Sequence, residues 1–143
     1  MLKNLSLRNN NENNDYQLIG IVSSSKEFKI AWIINNSLEV SLSKIDNEII
    51  KLSNGSSLSI SHLLYKRNKG YIRLINNKII HNKGKSSLIS SLSNFDYIIQ
   101  FSSNFFEFES FNIINKLKSN NDIQFANFVD HKSIKEKYLL SIW

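Results

Sequence analysis

The chain has no cysteine, no proline, only four glycines and two alanines among its 143 residues. Without cysteine there is no disulfide, no thiolate nucleophile and no thiolate metal site, and a reducing compartment is the expectation. Without proline, and with so little glycine, no linker of either kind divides the sequence, and no internal repeat is visible. The length fits one domain, and a chain of this size buries roughly two thirds of the surface its unfolded form exposes, so it needs no metal or cross-link to fold. Long apolar runs are also missing. The longest, such as residues 30–34, span only a few residues, whereas a membrane span needs about 20. The opening MLKNLSLRNNNENND lacks the apolar core of a signal peptide. A soluble cytoplasmic protein with no membrane association is the expectation.

What is present is biased. Asn, Ile, Ser and Lys together make up more than half of the chain. The codons of Asn, Ile and Lys are rich in A and T, so the coding sequence is inferred to be A+T-rich. Part of the net charge of +6 then reflects codon drift toward lysine, which lowers its weight as a sign of an anionic partner.

Residues 1–15 are polar and read as a disordered tail, with a single α+β domain over residues 16–143. Residues 16–23 form a first strand, whose near-continuous apolar run (Leu18, Ile19, Ile21, Val22) suits burial on both faces. Ser24 with Glu27 three residues on has the form of a capping box opening a helix. Phe28, Ala31 and Trp32 share one side of that helix, while Ile30, Ile33 and Ile34 carry apolar surface most of the way round. Its β-branched content offers a strand as the competing reading. Residues 38–50 are ambiguous, and the alternation at Leu38, Val40 and Leu42 suggests a strand. Residues 57–65 and 71–76 alternate and read as a β-hairpin closed over residues 66–70. Residues 95–102 form another strand. Asn104 and Glu107 offer a second capping box for a helix ending near Asn120, and residues 123–129 form a last strand. The apolar end, residues 138–143, is expected to dock. This order predicts a mainly antiparallel sheet with two helices on one face, ferredoxin-like with an extra strand.

The search for chemistry is mostly negative. His62, His81 and His131 have no partner at a ligand spacing. Asp130 and His131 are adjacent, and neighbours on a strand point to opposite faces. Gly84-Lys85-Ser86 resembles the end of a P-loop, but Ile79 stands where the first glycine is needed. Glu107 and Glu109 diverge by about 160° on a helix and do not form an acid–base pair. No catalytic, cofactor-binding or metal-binding residue is assigned.

One feature rises above this background. Residues 49–95 contain no acidic residue but hold Lys51, Lys66, Arg67, Lys69, Arg73, Lys78, Lys83 and Lys85. Tyr65 and Tyr71 flank the densest part. Basic side chains with aromatics on a hairpin hold phosphates and stack bases, so Tyr65, Lys66, Arg67, Lys69, Tyr71 and Arg73 are candidate nucleic-acid contacts. The plainer reading is a solvated hairpin in a lysine-biased protein.

Residues 89–97, Ile-Ser-Ser-Leu-Ser-Asn-Phe-Asp-Tyr, have the spacing of the motif that names the IPExxxVDY family. Ile89, Asp96 and Tyr97 match, Phe95 stands for Val, and Ser90 and Ser91 stand for Pro and Glu. The stretch Leu18-Ile19-Gly20-Ile21, the run ending at Trp32 with Asn35 beyond it, Leu74-Ile75-Asn76-Asn77 and the end of the chain are also similar to the family, so the resemblance covers nearly everything from Tyr16 onward. It implies a small bacterial protein of the Bacteroidetes type with no established activity. Ser91 in place of the motif glutamate argues against a catalytic carboxylate there, since serine is no substitute for a general base. Asp96 reads as an acceptor of backbone N–H groups beside a turn, and Tyr97 as a packed ring with a hydroxyl seeking a partner. Both remain candidate partner contacts alongside Trp32.

The expectation is therefore a non-enzymatic interaction module that binds a protein partner or forms a homodimer. The alternative is an RNA-associated accessory protein using the basic region 66–85.

Overall fold

The computed structural model describes residues 16–51, 53–68, 70–81, 84–105, 110–130, 132 and 134–140. The polar segment 1–15 lies outside them. In chain order the elements are β1 (Tyr16–Val22), α1 (Glu27–Leu38), β2 (Ser43–Lys44), β3 (Glu48–Lys51), β4 (Ser57–Ile60), β5 (His62–Arg67), β6 (Gly70–Asn76), β7 (Lys78–His81), β8 (Gly84–Ser87), β9 (Tyr97–Ser102), α2 (Ser110–Lys118) and β10 (Phe125–Val129). Short 3-10 turns occupy Ser90–Leu92 and Lys137–Leu140.

Six strands form one antiparallel sheet in the order β10-β1-β9-β6-β5-β2. The first four carry the order and pairing of a ferredoxin-like core, traced as β1-α1-β6-β9-α2-β10. Two strands rather than one extend it at the β6 edge. The pairs β3–β4 and β7–β8 are separate hairpins.

Alternation along the strands sends side chains to two faces, and both are covered. On the first face Ile19, Ile21, Ile72, Leu74, Ile99 and Phe101 pack against Ile30, Ile33 and Ile34 of α1 and Ile113, Ile114 and Leu117 of α2. On the second, Leu18, Ile75 and Ile98 meet Ile50 and Ile60 of the β3–β4 hairpin, the loop residues Leu88, Ile89 and Leu92, and Ile134, Leu139 and Leu140 near the chain's end. This double cover is the reason that β1 is apolar at successive positions. Gly20 is its one gap, and the Phe95 ring fills it: a Cβ there would lie 2.4 Å from Phe95 Cδ1.

Three local expectations are corrected. The capping box at Ser24 does not form. Helix α1 begins at Glu27, Lys26 is its N-cap without a side-chain bond, and the Glu27 carboxylate instead accepts from Ser61 Oγ. Residues 57–65 are not one strand but β4 and β5, broken at Ser61, because β4 pairs with β3 while β5 pairs with β6. Leu38 belongs to α1, and the alternation that follows it is not a strand: Leu42 is held by Asn35, whose Oδ1 accepts the Leu42 N–H at 2.8 Å. The Asn104–Glu107 box falls partly on Glu107, outside the described residues.

Candidate functional site

Tyr97 opens β9 and Asp96 immediately precedes it, and both side chains reach the link between β1 and α1. The Asp96 carboxylate accepts the Ser23 N–H at 2.8 Å and lies 3.9 Å from Lys78 Nζ. Tyr97 buries its ring in the helical core and donates its hydroxyl to the Ser25 carbonyl at 2.6 Å. Burial, with the Glu27 and Asp96 charges adding to it, pushes that phenol up to about 12, so it is a proton donor across the neutral range. Together the two side chains fix the turn that aims α1.

The loop before them is organised by Asn77, which is fully buried. Its Nδ2 donates to the carbonyls of Leu92 and Phe95, both at 2.9 Å, and its Oδ1 accepts the Ile89 N–H at 2.8 Å. Its backbone completes the clamp, with Leu88 N–H donated to the Asn77 carbonyl and Asn77 N–H to that of Asp96. Ser90 and Ser91 face Glu136, whose carboxylate accepts both hydroxyls, at 2.7 and 2.8 Å, and both backbone N–H groups, at 2.8 and 3.4 Å. A carboxylate therefore does sit against Ser91, supplied from 45 residues further along the chain.

Arg73 is corrected as a nucleic-acid contact. It is fully buried on the second face of the sheet. Its Nε donates to His62 Nδ1 at 2.9 Å, its Nη1 to Gln100 Oε1 at 3.3 Å and to the Leu139 carbonyl at 3.4 Å, and its Nη2 to Glu48 Oε1 at 3.3 Å. Burial lowers its pKa to about 10, so the guanidinium stays a cation at neutral pH, with Glu48 as counter-charge. A guanidinium nitrogen only donates, so His62 Nδ1 carries the lone pair and its Nε2–H donates to the Asp46 carbonyl at 3.1 Å. Gln100 Nε2 donates to the Leu140 carbonyl and to the Tyr71 hydroxyl, which burial above all pushes up to about 12.

Of the other basic candidates, the structure describes Lys66 and Arg67, which are neighbours on β5. Lys66 and Arg67 stand exposed at the tip of the β5–β6 hairpin, where the Arg67 guanidinium lies 3.8 Å over the Phe105 ring and donates to the Phe105 carbonyl. Tyr65 packs edge-on against the same ring. Lys69 lies outside the described residues. Lys78 opens β7 and donates to the Ser93 carbonyl.

Trp32 is placed differently from the other candidates. It is 55% exposed, and Phe28, one turn earlier on the same side of α1, is 73% exposed. Lys29 lies 4.8 Å over the Trp32 ring and 3.9 Å from Asp122. The opposite side of the helix buries Ile30, Ile33 and Ile34.

Among the described residues, no group of three His, Asp or Glu side chains is placed to hold a metal ion, and no helix is long and apolar enough to cross a membrane. Compared with known protein families, with curated proteins and with solved structures, the chain matches none of them.

Proposed function

We propose that the protein is a non-enzymatic interaction module that docks a protein partner through the outer face of α1, with Phe28 and Trp32 as its anchors. The observation that carries this reading is the paired exposure of two large aromatics at i and i+4 on a helix whose other side is anchored in the core. Leaving such rings in water forgoes about 1.5–3 kcal/mol for a side chain of phenylalanine size, and aromatic anchors of this kind dominate protein interfaces. Asp96 and Tyr97 serve the same face indirectly, by fixing the turn from which α1 departs.

The test is affinity capture from native cells with the wild-type chain and with a Phe28→Ser/Trp32→Ser variant, matched by thermal melts. A partner held by the wild type and lost by an equally stable variant supports the reading. Capture of the same proteins by both sinks it. The RNA-associated alternative rests on Lys66 and Arg67 at the hairpin tip. It requires binding that weakens steeply with salt and disappears when both are changed to Glu.

A further inference from the structure

The second face of the sheet reads the last described segment of the chain, residues 134–140, in the manner of a receptor reading a peptide. Gln100 and Arg73, both fully buried, direct Nε2 and Nη1 at two successive main-chain carbonyls, those of Leu140 and Leu139. Ile134, Leu139 and Leu140 fill apolar positions against Leu18, Ile75 and Ile98. Three residues before Leu139, the Glu136 carboxylate is gripped by the hydroxyls and N–H groups of Ser90 and Ser91. Main-chain carbonyls, two leucines and a carboxylate at fixed spacing constitute a recognition pattern, Glu-x-x-Leu-Leu. Each of these polar contacts joins positions at least 40 residues apart, so none depends on the segment belonging to the same molecule.

We propose that this face is a peptide-binding site for a Glu-x-x-Leu-Leu segment, filled in cis by residues 136–140, and that its second occupant is the same segment of another copy of this chain. The second copy is the occupant because its segment reproduces every contact without new chemistry. Exchange of an identical element is a low-cost route to a dimer. Four residues, 130–133, separate the segment from β10, a reach of up to about 14 Å.

The experiment uses the full chain, a Glu136→Ala variant and a fluorescent peptide of residues 134–140. Glu136 is only partly buried, so Glu136→Ala opens the clasp and leaves the core in place. A Ser90→Ala/Ser91→Ala variant removes the two hydroxyl donors from the other side. The expected result is saturable peptide binding at least tenfold tighter to Glu136→Ala than to wild type, and none by a peptide with alanine at both leucine positions. Wild-type chain incubated at high concentration at the foot of its denaturation transition is expected to form a dimer. That dimer persists in Phe28→Ser/Trp32→Ser and is suppressed by excess peptide. No peptide binding to either clasp variant, or equal binding of the alanine peptide, overturns the site. Peptide binding by a strictly monomeric chain overturns the second-copy occupant, as does a dimer lost in the α1 variant. The site shares no residue with the α1 face, so the two readings fail separately.

Discussion

Arg73 and Glu48 meet at 3.3 Å with side chains 1% and 0% exposed, and they belong to different layers of the molecule. Arg73 is in the centre of the six-stranded sheet, and Glu48 is on the β3–β4 hairpin that covers it. The pair pins the second layer to the first. Removing one partner strands a buried charge, so Glu48→Ala is expected to cost about 3–5 kcal/mol. The double change Glu48→Leu/Arg73→Met removes both charges and is expected to recover part of that loss. Recovery stays incomplete because His62 Nδ1 and Gln100 Oε1 lose their donor. Urea unfolding of both single variants and the double variant measures the coupling. A double variant no more stable than Glu48→Ala contradicts the pinning role.

Asn77 offers a sharper substitution, because its isostere fails for a stated reason. Aspartate fits the same space but has no N–H to give the Leu92 and Phe95 carbonyls, and it brings a charge to a fully buried position. Asn77→Asp is expected to destabilise by at least about 3 kcal/mol. Amide exchange in the loop 88–96 is expected to accelerate most. Exchange accelerated evenly over the whole sheet would show that Asn77 is no local clamp.

Gly20 and Phe95 occupy one volume between them. Gly20→Ala drives a Cβ into the ring, and the ring is itself stacked on Phe125 at 6.3 Å, so it has little room to retreat. A loss of about 1–3 kcal/mol is expected, the usual range for overpacking. Phe95→Leu in the Gly20→Ala background is expected to restore part of it, as read from paired thermal melts. Two losses that simply add would rule out the shared volume.

The sheet was legible where pattern alone decides. The near-continuous apolar run of β1 announced burial on both faces, and the alternation of residues 62–65 and 71–76 announced the β5–β6 hairpin. The first helix was also expected, but its face was read from Phe28, Ala31 and Trp32, whereas Ile30, Ile33 and Ile34 enter the core and Phe28 and Trp32 stand exposed. The second layer was not legible, because the alternation of β4 runs on into β5 across Ser61 and reads as one strand, while β3, β7 and β8 are only four residues each. Arg73 was misread for a different reason. A sequence displays a charge but not its partner, and the counter-charge Glu48 comes from 25 residues away on another sheet. Within the basic run 49–95, Arg73 is thus spent inside the protein. Asp96 and Tyr97 were read as turn acceptor and packed ring, but nothing local pointed to Ser23 and Ser25 as the groups they hold.

Acid titration probes the clasp at Glu136. Partial burial works to raise its pKa, but four hydrogen bonds from the hydroxyls and backbone N–H groups of Ser90 and Ser91 outweigh it, and the net shift is downward. The folded chain therefore holds this proton less tightly than the unfolded chain does. The sign follows from linkage: the clasp's contribution is fully present above the ordinary carboxylate range and is lost as pH falls through the depressed native value. In Glu136→Gln the group does not titrate, and the amide cannot accept all four bonds. Wild type is thus expected to exceed Glu136→Gln in stability by a constant margin at neutral pH. That margin should narrow as the pH is taken below the carboxylate range, with amide exchange in residues 134–140 rising in step. Urea midpoints for the two chains at a series of pH values provide the measurement. A margin that widens on acidification would mean that the carboxylate is a strained contact rather than a clasp, and that the segment over the second face is held by Leu139 and Leu140 alone.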